Sequence, residues 1–124
     1  MLKRVSVIIL VAAIIGTIPS PAFAAVGADV INDSNNCAHM TAYIAKGHGY
    51  NIEKSGAMAP GQQFFYSAHV MSIAGVTLKV RAQVYAGSQC GGSTIADVSF
   101  VTDLSNDNSK LIRRPGGEFQ ILRR

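Results

Sequence analysis

Three histidines, His39, His48 and His69, are the side chains of this chain best suited to general-base work or metal ligation. A zinc site takes Cys and His ligands at close spacings, at least two of them on one element. These three lie far apart in the chain. The local pattern gives solvated strand positions to His39 and His69 and a turn to His48, so no metal site is expected. Two Asx-rich stretches offer hard oxygen ligands: Asp29 with Asn32-Asp33-Ser34-Asn35-Asn36, and Asp103 with Asn106-Asp107-Asn108. Neither follows the EF-hand ligand order. Asn, Asp and Ser are also the residues that turns select, because their side chains bond their own backbone. Turn chemistry is therefore expected, with calcium as the alternative. Asn32-Asp33-Ser34 also matches an N-glycosylation sequon.

Cys37 and Cys90 are an even pair in a chain that reads as exported, and they are expected to form one disulfide. The bridge closes a loop of about 54 residues, which a chain-entropy model values at roughly 4 kcal/mol. Gly87-Ser88-Gln89-Cys90-Gly91 faintly resembles a papain-type active-site sequence. The chain is far too short for that fold, and Cys90 has an obvious partner in Cys37. No G-x-S-x-G elbow is present, no glycine-rich phosphate loop precedes a helix, and the seven acidic residues sit in loops or singly on strands. No catalytic residue and no cofactor is expected. What remains is a surface for recognition. Lys79, Arg81 and Tyr85 share one face of a strand, and Arg113, Arg114, Arg123 and Arg124 gather near the C-terminus. Arg and Tyr are enriched at binding hot spots, and exposed cations favour acidic partners. The plainer reading is that these charges solubilise an exposed sheet and blunt its edges.

The first 24 residues set the address. Lys3 and Arg4 precede an uncharged run from Val5 to Ile18, Pro19-Ser20-Pro21 breaks any helix, and Ala22-Phe23-Ala24 fits a signal-peptidase site. The apolar run of about 14 residues is short of the roughly 20 that span a bilayer. A cleaved signal over residues 1–24 is expected, with a secreted or periplasmic protein starting at Ala25. Loss of Lys3 and Arg4 lowers the formal charge from +4 to about +2. That is too weak for a nucleic-acid footprint, and no membrane span is expected in the mature part.

The elements that must position these residues are strands. In Val76 to Ala86, Val76, Leu78, Val80, Ala82 and Val84 alternate with Thr77, Lys79, Arg81, Gln83 and Tyr85, which predicts one buried and one solvated face. Cys37 to Lys46 alternates similarly, with Gly47-His48-Gly49 as a turn. Ile52 to Met58 is a weaker strand ending at Ala59-Pro60-Gly61. Gln62 to Met71 carries Phe64, Phe65 and Tyr66 in succession, consistent with burial on both faces. Ser93 to Thr102 mixes phases, which suggests a bulge or an edge. Val30-Ile31 can start a first strand, Leu104 to Ser109 reads as loop, and Lys110 to Arg114 with Glu118 to Leu122 reads as a terminal hairpin across Pro115-Gly116-Gly117.

About seven short strands between turn signals predict an all-β, disulfide-bridged β-sandwich over residues 25–124, immunoglobulin-like or of related topology. The cysteine spacing suits an inter-sheet bridge, although the chain has no tryptophan to pack on it. The expected function is an exported recognition module binding a protein or cell-surface component, with Lys79, Arg81, Tyr85, Arg113 and Arg114 as candidate contacts. A small inhibitor or effector acting through a loop such as Lys46 to Asn51 is the alternative, and a small hydrolase with a histidine base is a third.

Overall fold

The computed structural model describes residues 24–46, 49–70 and 76–124. The expected signal segment through Phe23 and the Gly47-His48 turn lie outside the described residues. Among the described residues eight strands are formed: β1 (Ala24–Asn32), β2 (Ala38–Lys46), β3 (Gly49–Met58), β4 (Gln63–Val70), β5 (Leu78–Tyr85), β6 (Thr94–Thr102), β7 (Asp107–Arg113) and β8 (Phe119–Arg123). They make two four-stranded sheets. Sheet I has the order β4-β1-β7-β8 and sheet II the order β3-β2-β5-β6. All pairings are antiparallel except β1 with β7, which run parallel.

Strict alternation in β5 becomes strict burial. Leu78, Val80, Ala82 and Val84 are fully buried, while Lys79, Arg81, Gln83 and Tyr85 are half-buried on the outer face. That outer face is less open than the sequence suggests, because β5 is a central strand flanked by side chains of β2 and β6. Ala38, Met40, Ala42 and Ile44 of β2 and Val26, Ala28 and Val30 of β1 complete the facing layers of one core with Met58, Phe64, Leu111 and Phe119. Full burial of a Val or Leu side chain is worth about 1.5–3 kcal/mol.

Several elements depart from the sequence pattern, each for a physical reason. β1 begins well before Val30, because Val26-Gly27-Ala28 alternate too, but with side chains too small to register as a strand signal. Gly27 is required there. A Cβ would lie 2.9 Å from the Ser105 carbonyl oxygen and 3.0 Å from that of Tyr66, since the β6–β7 connection crosses directly over this residue. β4 is not buried on both faces: Phe64 points into the core but Phe65 is 50% exposed, because β4 is an edge strand whose outer face meets water. Half of the expected Leu104–Ser109 loop is strand, because Asp107 and Ser109 turn inward in β7 and take up the parallel ladder to β1. Ser93–Thr102 proves to be both bulged and an edge, with the register slip between Val84 and Tyr85 on β5.

The disulfide between Cys37 and Cys90 is formed, with Cα atoms 5.1 Å apart. It does not cross between the sheets as the immunoglobulin comparison would have it. Cys37 immediately precedes β2 and Cys90 lies in the β5–β6 connection, so the bridge fastens one end of sheet II. The expectation for β5 is that Val80→Ala costs about 1–3 kcal/mol in denaturant unfolding, whereas Lys79→Ala costs less than about 1 kcal/mol.

Candidate recognition face

β2, β3, β5 and β6 present a continuous outer face. The register sets Ile52, Tyr43, Lys79 and Val101 side by side across it, then Ser55, Thr41, Arg81 and Ser99, then Ala57, His39, Gln83 and Asp97. In the first row the Lys79 ammonium lies 5.9 Å from the Tyr43 ring centroid and 5.4 Å from that of Tyr50. The two rings meet edge to face at 6.2 Å. Edge-to-face contact suits the aromatic quadrupole, and a cation above a ring face is worth about 0.5–1 kcal/mol at an exposed site. Tyr50, Ile52 and Val101 remain 48%, 66% and 51% exposed around this cluster. Among the described residues no carboxylate lies within salt-bridge distance of Lys79.

Arg81 is held differently. Its Nε donates to both Asp97 carboxylate oxygens, at 2.9 and 3.1 Å, along the diagonal of the β5–β6 pair. The hydrogen bond from Arg81 is the main reason the Asp97 carboxyl is held below the usual carboxylate range. The same pairing, with a further contribution from Tyr43, raises the already high guanidinium pKa. Arg81 is thus largely neutralised, and Lys79 carries the net positive charge of this face.

Of the five candidate contact residues, Lys79, Arg81 and Tyr85 share this face, with Tyr85 at the disulfide end of β5. Arg113 and Arg114 lie elsewhere, at the turn of the β7–β8 hairpin in sheet I. The Arg113 guanidinium sits 5.0 Å above the Phe119 ring and its Nε donates to the Gly117 carbonyl, while Arg114 donates to the Gln120 side chain. The four C-terminal arginines do not cluster. Ser109 pairs with Arg123 and Arg113 with Phe119, so Arg123 and Arg124 sit at the opposite end of the hairpin. There Arg123 donates twice to the buried Asp107 carboxylate, and Arg124 meets Asp29 at 3.2 Å.

The first Asx-rich stretch is bonded into the fold. Asn32 is 1% exposed, and its Nδ2 donates to the carbonyls of Asn36 (2.7 Å) and Met58 (2.8 Å). Its Oδ1 accepts from the Ser34 backbone N–H and hydroxyl. Asn36 Nδ2 in turn donates to the carbonyls of Tyr85 and Ala86, tying this loop to the end of β5. Among the described residues no three His, Cys, Asp or Glu side chains come together as a metal site. His39 stands on the outer face of sheet II, beside the disulfide end, whereas His69 belongs to β4 of sheet I, paired with Ala25 at the other end; His48 lies outside the described residues. The sequence pattern missed Tyr43, Tyr50, Ile52 and Val101. Each sits at an outward position of its own strand, and only the register across four strands joins them. No family model matches the chain, and no curated protein matches it as a relative.

Two outcomes check this description. Asn32→Ala strands the Asn36 and Met58 carbonyls in the interior and is expected to cost about 2–4 kcal/mol in chemical denaturation. Asp97, with a lowered pKa in the fold, adds stability that is present above the unfolded carboxylate value and is lost as pH falls through the folded value. Because the pair is largely solvated, with side chains 36% and 49% exposed, the contribution is expected to be under about 1 kcal/mol. Comparing wild type with Asp97→Asn in unfolding titrations from about pH 5 down to about pH 2 measures it.

Proposed function

We propose that this is an exported recognition domain whose outer sheet II face, centred on Lys79, contacts an acidic protein or cell-surface component. The observation that carries the reading is the Lys79 ammonium seated over Tyr43 and Tyr50, flanked by exposed Ile52 and Val101. Tyrosine is enriched at binding hot spots, and an exposed ammonium beside it favours an acidic partner. The disulfide suits an oxidising compartment, and a signal peptide over residues 1–24 would deliver the domain there. Among the described residues no helix is long and apolar enough to cross a membrane. Arg113 and Arg114, on a different sheet, would form a separate contact point rather than part of this face.

The reading is tested with two acidic probes, poly-glutamate and a sulfated polysaccharide, over the immobilised domain. Binding is expected to weaken as salt rises from about 50 to 500 mM, because screening shortens the reach of exposed charges. Lys79→Glu is expected to weaken it at least about tenfold and Tyr50→Ala by about three- to tenfold, with the unfolding midpoint nearly unchanged. Binding that ignores both salt and Lys79→Glu would remove this face from the account. Substrate turnover lost on His39→Ala would replace the recognition reading with a catalytic one.

A further inference from the structure

The two sheets leave four edge strands, β3, β4, β6 and β8, and three of them are visibly protected. At β3 a register shift interrupts the ladder between Ala42 and Tyr43, and Lys54 projects from the strand to donate to the Phe65 carbonyl of β4 at 2.6 Å. Tyr66 of β4 donates to Glu53 of β3, so these two edges cover one another with side chains. β8 is only five residues long. Short length, inward-pointing charge and bulges are the devices that keep sheet edges from pairing with other chains.

β6 has little of this protection. Its nine residues, Thr94–Thr102, include no Lys, Arg or Pro. The single charge, Asp97, is already paired with Arg81. The bulge touches only the first two residues, and from Ala96 to Thr102 the ladder to β5 is regular. The inner face is also incompletely covered: Ala96, Val98 and Phe100 pack against the core yet are only partly buried, where the nine-residue strand faces the five-residue β8. Ile95 and Val101 are 49% and 51% exposed.

We infer that β6 pairs antiparallel with β6 of a second copy of this chain, about a two-fold axis at Val98, joining two copies of sheet II into one eight-stranded sheet. The strand is self-complementary in this register. Val98 faces Val98 of the other copy. On the inner side Ala96 faces Phe100, a small residue against a large one. On the outer side Asp97 faces Ser99, so no like charges meet, and Ile95 faces Val101 at both ends. A two-fold interface requires this property, since each residue i that meets j must be met by j in return. Cross-strand aliphatic and aromatic pairs add about 0.2–1 kcal/mol each to the backbone hydrogen bonds gained. The dimer shares Val101 with the proposed recognition face, whereas Lys79, Tyr43 and Tyr50 lie outside the β6 pairing, so Lys79→Glu and Tyr50→Ala test the recognition reading without touching the dimer strand.

The test is sedimentation equilibrium of residues 25–124 from about 10 µM to 1 mM. Wild type is expected to shift from monomer to dimer across that range. Ile95→Lys with Val101→Lys sets like charges opposite each other at both ends of the strand pair and is expected to give monomer at every concentration. Ile95→Glu with Val101→Lys sets opposite charges across the same two positions and is expected to restore the dimer. Both positions are exposed, so circular dichroism and thermal unfolding should show the fold retained in each variant. A wild type that stays monomeric overturns the proposal, as does a dimer indifferent to the Lys/Lys pair. Loss of the dimer in both variants overturns the register. Tyr50→Ala on the opposite edge is expected to leave the dimer intact, and a dimer abolished by that change would place the interface elsewhere.

Discussion

The chain first passes from sheet I to sheet II between β1 and β2, and the few residues of that passage tie strand ends of both sheets together. Asn32 ends β1 with every side-chain hydrogen-bonding position in use, and its backbone bonds the Gln62 and Gly61 turn that leads into β4. Asn36 reaches the carbonyls that end β5. Cys37 exchanges backbone hydrogen bonds with Gly87 and Tyr85 before its side chain is bridged to Cys90. One loop thereby ties together the ends of β1, β3, β4 and β5. A buried amide with all of its valences satisfied is specific as well as stabilising, because any other side chain leaves a carbonyl or N–H without a partner.

The start of β7 and the end of β8 are held by charge. Arg123 meets buried Asp107, and Arg124 meets Asp29, which also accepts from Gln63. The last strand is thus fastened to β7 and, through Asp29, to β1 and β4. Asp97 is bonded to Arg81 on the same face, and among the described residues no carboxylate lies within salt-bridge distance of Lys79. The outer face of sheet II thus carries a cation over aromatic rings beside a separate Arg–Asp pair.

The sequence showed the parts of this structure that rest on local periodicity. β5 could be read residue by residue, since period-two alternation of branched aliphatics and charges has one structural meaning. The Cys37–Cys90 pair was legible from count and export context. The Asn32 passage was visible only as turn-forming composition. Asn, Asp and Ser satisfy their own backbone in any loop, and nothing local says that Asn32 will be buried against Met58, 26 residues away. The sequon at Asn32 is misleading for the same reason, because its Nδ2 is consumed in the interior. The candidate face was half legible. Lys79 and Arg81 stood out by alternation, but Tyr43, Tyr50 and Val101 join them only through the register of three other strands, and the Asp97 that neutralises Arg81 appears only with the β5–β6 pairing.

The proposed recognition face rests on the strand ladders of sheet II. Tyr43, Lys79 and Val101 are direct cross-strand neighbours held in register by the β2–β5 and β5–β6 ladders, so little backbone freedom would remain to be lost on contact. The part played by the passage from Asn32 to Cys37 is tested most directly by native-state hydrogen exchange. The amides of Asn32, Gly61, Cys37 and Tyr85, which donate to Gln62, Asn32, Gly87 and Cys37, should exchange only through global unfolding, with the same free energy as Val80 and Ala82 in β5. Exchange of these four amides by local opening, several kcal/mol below the β5 amides, would contradict the claim that this passage holds the two sheets together.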